Sequence, residues 1–246
     1  MIAPLGVEML KSDDNASDSR KKTAFRKRYR YFFVFLQKNL KKMNYKASIL
    51  GRRHEQDLIR EYYESPKAEL VAVYGRRRVG KTYLVRQFFD NDFDFYFTGS
   101  FETPRSTQLT LFKKELERYS GRKHHKPKDW YEAFESLREY LSSLHKERIV
   151  VFLDELPWMD TPKGNLISAL ESFWNGWATA RPEKDIVLIV CGSATSWISK
   201  KLLKNKGGLR GRLTQRIKLA PFTLRECELF AQGANLAYGR KDVLEL

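Results

Sequence analysis

The chain has 246 residues, 42% of them hydrophobic and 31% charged, with a formal net charge of +16. That length can bury a full core and fits one α/β domain with appendages. Two cysteines, Cys191 and Cys227, are too few for a disulfide framework and fit a reducing, cytoplasmic setting, while no apolar run approaches the ~20 residues that cross a bilayer.

Residues 1–42 carry eleven Lys/Arg against Glu8, Asp13, Asp14 and Asp18, so they contribute +7 and leave +9 for the other 204 residues. They show no helix caps and no lasting periodicity. The aromatic patch at 32–36 is short, flanked by charge and without a small-residue cleavage site, so it is a poor signal peptide. We expect residues 1–46 to be a basic, disordered extension or a mis-assigned start, with Met43 favoured as the first residue. A basic arm for nucleic acid or a membrane surface is the other reading. A basic chain favours DNA electrostatically, although a solvated basic surface around a nucleotide pocket explains the charge equally well.

A domain signal begins at residue 47. Ile49-Leu50-Gly51-Arg52-Arg53-His54-Glu55 turns at Gly51 and enters an amphipathic helix through Leu58, Ile59, Tyr62 and Tyr63, stopped at Ser65-Pro66. An apolar, β-branched run at 70–74 then predicts a buried strand. Gly75-Arg76-Arg77-Arg78-Val79-Gly80-Lys81-Thr82 follows and fits G-x-x-x-x-G-K-S/T. Tyr83 opens the amphipathic stretch after it, with Leu84, Val85, Phe88 and Phe89 on one face. Strand, glycine loop and helix is the setting this motif needs. Gly75 and Gly80 permit backbone conformations that other residues resist. The amides from Gly75 to Tyr83 can then converge on phosphate oxygens at a helix N-terminus. Lys81 suits the β- and γ-phosphates of ATP, and the Thr82 hydroxyl suits Mg²⁺.

Further along, 93–98 alternates like a strand, 107–119 and 130–144 have helical spacing, and 120–128 reads as an exposed basic loop. The histidines have no metal-ligand spacing. Ile149-Val-Val-Phe-Leu153 is continuously apolar, as in a parallel strand buried on both faces. Asp154 and Glu155 end it, where open α/β sheets bind ligands. Asp154 can hold Mg²⁺ through water, and Glu155 can act as a general base on water. A rigid turn at 156–160, a helix over 165–180 and a second buried strand at 186–191 follow. Just past that strand, Ser193, or secondarily Thr195, can bond a γ-phosphate or the attacking water; helix capping is the other use of Ser and Thr there. In the glycine-containing stretch 205–216, Arg210 or Arg212 can offset phosphate charge, in this protomer or in a neighbour of a homo-oligomer, or simply lie on a basic surface. A short strand at 217–219 precedes a helix capped by Thr223, with Glu226 completing a capping box.

These motifs, in this order with Cys191-Gly192-Ser193 and Pro221-Phe-Thr-Leu-Arg-Glu226, resemble the ATPases first grouped as predominantly archaeal, which are similar to AAA+ and STAND P-loop NTPases. The resemblance covers residues 47–246. It implies a three-layer α/β sandwich around a parallel five-stranded sheet in order 5-1-4-3-2, with the Ser193 strand between the Walker A and Walker B strands. It places Gly51 to Arg53 on the adenine side of the pocket. It also implies a C-terminal lid and effector domain beyond what the sequence contains. The expected function is Mg²⁺-dependent ATP hydrolysis coupled to conformational change, or a nucleotide-dependent switch on DNA with little turnover. A GTPase is disfavoured because no Asn-Lys-x-Asp follows a strand, and a small-molecule kinase because it has little need of Glu155.

Overall fold

Alternation along each strand, rather than simple apolarity, decides how this chain layers. A computed structural model of the chain describes residues 49, 51–183, 185–193, 195–203, 209 and 211–233. The extension read at residues 1–46 lies outside them. Helix α1 (Arg53–Glu64) leads to strand β1 (Glu69–Gly75) and helix α2 (Lys81–Phe88). Strand β2 (Phe95–Thr98) is followed by helices α3 (Arg105–Ser120) and α4 (Trp130–Ser142), then strand β3 (Ile149–Asp154) and the single-turn helix α5 (Leu156–Met159). Helix α6 (Leu166–Phe173) runs into a π-helical turn (Trp174–Ala178) before strand β4 (Ile186–Gly192). Helix α7 (Thr195–Trp197) continues as a π-helical segment (Ile198–Leu203), and strand β5 (Gln215–Leu219) precedes helix α8 (Leu224–Gly233).

The strands form a five-stranded sheet in the order β2-β3-β4-β1-β5, every pairing parallel. This is the expected order 5-1-4-3-2 read from the other edge. The strand bearing Ser193 at its end lies between those bearing the P-loop and Asp154, also as expected.

Successive side chains of a strand point to opposite faces. Leu70, Ala72, Val151, Leu153, Leu188 and Val190 therefore join one apolar cluster, with Phe112 of α3, Trp130 and Phe134 of α4, and Leu170 of α6. Val71, Val73, Val150, Phe152, Ile189 and Cys191 join the other, with Ile59 of α1 and Leu84 and Val85 of α2. Burial on both faces explains why these strands are unbroken apolar runs.

Arg148, at the foot of β3, donates to the carbonyls of Tyr62, Tyr63 and Lys67. A guanidinium thus serves the carbonyl end of α1, as the helix dipole favours. The capping box at Thr223 and Glu226 forms as predicted: Glu226 N donates to Thr223 Oγ1 at 3.3 Å and Thr223 N to Glu226 Oε2 at 2.9 Å. The stretch read as a turn at 156–160 is instead one helical turn, and the continuous helix expected over 165–180 changes to π geometry at Trp174. There Thr179 N donates to Trp174 O, five residues back, at 3.0 Å.

Candidate functional site

The C-terminal ends of β1, β3 and β4 converge on one rim. β1 stops at Gly75, where an added Cβ would lie 2.3 Å from the Leu219 carbonyl of β5. Only a residue without a side chain lets the chain leave the sheet there. The loop then turns through Arg78 (φ 64°) and Gly80 (φ 88°) into α2, which leaves the helix's first amides without intrahelical partners. Among the described residues the Lys81 ammonium bonds to the Arg76 carbonyl, at 2.8 Å. The side chain is only 5% exposed, and an ammonium has three donors. A buried cation with donors to spare at a helix N-terminus is suited to an anion.

Across the rim, Thr82 Oγ1 donates to Asp154 Oδ2 at 2.8 Å, while Asp154 Oδ1 accepts from Glu155 N at 2.9 Å. Asp154 is 3% exposed. A buried carboxylate held by a hydroxyl is a fit donor pair for Mg²⁺, which ordinarily takes one or two carboxylates and fills its shell with water and phosphate oxygens. Among the described residues no group of three or more His, Cys, Asp or Glu could cage a metal, so any such ion would rely on that shared shell.

Glu155 sits in left-handed backbone (φ 45°) at the head of α5. Its Oε2 accepts from Ser193 N at 3.4 Å and Ser193 Oγ at 3.2 Å. Strands β3 and β4 thus deliver a carboxylate and a hydroxyl to the same point. Arg77, Arg78, Gly80, Lys81, Thr82, Tyr83, Glu155 and Trp158 line a cleft of about 700 Å³, of the size small-molecule sites have.

Two neighbours of Asp154 went unread in the sequence. Burial, followed by the Asp154 charge, pushes the Tyr96 hydroxyl up to about 12. The same two causes, in that order, push the Cys191 thiol up, and it hydrogen-bonds Asp154. Both residues occupy inward positions of apolar strands, so the sequence marks them as core. Only the pairing of β2, β3 and β4 brings them against the carboxylate.

Gly51 and Arg52 lie elsewhere on the loop's flank. Arg52 is buried, with Nη2 donating to Ala220 O at 2.6 Å and to Val79 O at 3.3 Å, and its guanidinium stands 4.4 Å from the Phe222 ring centre. Its backbone N donates to Glu226 Oε1 at 3.1 Å. That carboxyl is held below its usual range: burial alone would raise it, but the bonds from Thr223 and Arg52 outweigh burial. Neither Gly51 nor Arg52 is among the cleft-lining residues above; Arg52 reaches the loop at Val79. Arg212 is exposed and also outside that lining. Thr195 begins α7, and Arg210 lies outside the described residues.

Residues 50–243 match the model of a family described as an ATPase domain predominantly from Archaea. The chain belongs to this ATPase domain family. Two Methanocaldococcus jannaschii proteins are similar to the ATPase domain: an uncharacterized protein, 26% identical over 181 residues, and an uncharacterized ATP-binding protein, 40% identical over 42 residues. Those matches cover 74% and 17% of this chain, and 38% and 71% of the respective relatives. Among solved structures, the Walker-type ATPase of Pyrococcus abyssi aligns with a TM-score of 0.57 at 17% identity, over 81% of this chain and 63% of that one. The ORC2 protein of Aeropyrum pernix, solved as ADPNP–ADP complexes, aligns with a TM-score of 0.58 at 15% identity, over 79% of this chain and 55% of that one. Such structural likeness speaks to the fold. The ATPase domain thus spans about two fifths of its first curated relative. Among the described residues no helix is long and apolar enough to cross a membrane.

Proposed function

We infer that the domain binds ATP with Mg²⁺ and hydrolyses it by attack of water on the γ-phosphate, coupling turnover to a change in conformation. The observation that carries this reading is the 2.8 Å hydrogen bond between Thr82 and Asp154, which joins the phosphate loop to the acidic strand end at one rim. The amides from Gly75 to Tyr83 cradle the phosphates, and Lys81 supplies a fixed positive charge to the β- and γ-oxygens. Thr82 and Asp154 would hold the metal, which when bound supplies charge neutralisation on the phosphate oxygens. Glu155 takes the proton of the attacking water. Ser193 holds the Glu155 carboxylate at 3.2 Å, so it orients the base or keeps it back until phosphate arrives. The Gly51–Arg52 segment, outside the cleft lining but pinned to Val79 through Arg52, would flank the base of the bound nucleotide.

Hydrolysis is tested with Glu155→Gln, which keeps size and hydrogen bonding but removes the base. Steady-state turnover should fall by about 10²–10⁴-fold while ATP affinity holds. Unchanged turnover would remove Glu155 from the chemistry. The Ser193 bond to Glu155 also supports a second reading, a nucleotide-dependent switch on DNA with little turnover. DNA-independent ATP turnover that the same variant abolishes would exclude the pure switch.

A further inference from the structure

We propose that Phe101 and Trp158 form a stacking site for an unpaired base of single-stranded nucleic acid, on the rim of the ATP cleft beside Glu155. Phe101 is 55% exposed, on the loop between β2 and α3. Its ring meets Trp158 edge to face, centres 5.4 Å apart. The Arg77 guanidinium stands 5.8 Å from the centre of one ring and 5.6 Å from the other. Single exposed aromatics are ordinary. A pair sharing one arginine at the mouth of a cleft is not, because aromatic faces with cations are the chemistry that binds single strands.

The pair is fixed in place. Gln108 is fully buried, and its Nε2 donates to the carbonyls of Ser100 at 2.6 Å and Trp158 at 3.0 Å. Its Oε1 accepts from Ser100 N at 3.1 Å. One amide therefore clamps the residue before Phe101 to Trp158 itself. Two residues adjoining the pair, Glu102 (φ 48°) next to Phe101 and Glu155 (φ 45°) bonded to Trp158 N, are left-handed non-glycine residues. Strain of this kind gathers where a surface is held ready for a ligand.

The charge around the platform suits a polyanion. Arg77, Arg78, Arg105 and Lys163 are exposed, and Arg105 Nη1 donates to the Lys163 carbonyl at 3.0 Å, tying α3 to the loop after α5. Glu102 is the exposed acid on the Phe101 loop. A base stacked on Phe101 would leave its flanking phosphates among these cations. Trp158 N donates to Glu155 O at 2.9 Å, so Trp158 shares the turn that carries the base of the proposed hydrolysis, and any coupling to turnover would pass through that turn. Only that coupling rests on the hydrolytic reading; the binding site does not.

The test uses the full chain without nucleotide. Fluorescence anisotropy follows a labelled oligothymidine of about 12 nucleotides, within the span one such site covers, and a duplex of equal length at matched salt. The wild type should prefer the single strand. Phe101→Ala should weaken single-strand binding about tenfold and leave duplex binding unchanged, and Phe101→Trp should restore it. Equal affinity for duplex and single strand, no binding of either, or an alanine variant that binds the strand like wild type would each overturn the proposal. So would equal weakening of both nucleic acids, which would indicate general electrostatics or a fold defect. Because ATP is absent, failure here leaves the hydrolytic reading standing, and loss of that reading leaves this result interpretable.

Discussion

Asp154 is the residue on which most of the site converges. It takes a hydroxyl from Thr82 and an amide from Glu155, and, second to burial, its charge makes the neighbouring Tyr96 hydroxyl and Cys191 thiol weaker acids. The Tyr96 shift carries a stability consequence whose sign is fixed. The group ionises near 10.0 when unfolded and near about 12 when folded. Up to pH 10 both states keep the proton, so its contribution is whole. Between 10 and 12 the unfolded chain releases the proton first, and stability falls as pH rises. Denaturant unfolding followed across that window should show the decline, and Tyr96→Phe should lessen its slope. Tyr62, Tyr119 and Tyr140 are shifted the same way, so they should account for part of what remains. An identical slope in the variant would mean that Tyr96 ionises as freely in the fold as in water.

At the scale of elements, the site depends on how closely the strands end against their neighbours. Gly75 lies where β1 and β5 leave no room for a methyl group, the Leu219 carbonyl being 2.3 Å from an added Cβ. Gly75→Ala must therefore push β5 or the phosphate loop aside. We expect a loss of about 1–3 kcal/mol in unfolding free energy, read by urea titration, together with weaker ATP binding. Unaltered stability would show that β5 moves freely. The π-helical turn at Trp174–Ala178 is an element effect of another kind. The wider turn lets Trp174 bury at 1% exposure while Trp177 stays against Phe173 at 5.0 Å. An unbroken α-helix, the sequence-based expectation, spaces those aromatics for one face only.

For the whole molecule, charge and length matter most. The extension at residues 1–46 holds much of the excess positive charge, yet the proposed chemistry is confined to residues 51–226. We propose that the extension is separable. A chain beginning at Met43 should show the same ATP-dependent rise in melting temperature as the full chain, since ligand linkage depends only on affinity for the folded site. Its affinity for duplex DNA should drop and depend less steeply on salt, because fewer phosphates are neutralised. A lost ATP response would make the extension part of the folded domain.

Local chemistry along the chain dictates several parts of the site and the sheet. The phosphate loop is set by two glycines with Lys81-Thr82, the buried strands by unbroken apolar runs, and the start of α8 by the Thr223–Glu226 box. Family resemblance added the strand order, which pairwise register bears out. Tertiary structure alone decided which of these residues meet. Nothing in 246 letters places Ser193 on Glu155, Cys191 on Asp154, Glu226 on Arg52 or Phe101 on Trp158. Those contacts join segments far apart in the chain, and they exist because parallel strands in a crossed-over order bring their ends to one rim, whereas periodicity and spacing report only on neighbours along the chain.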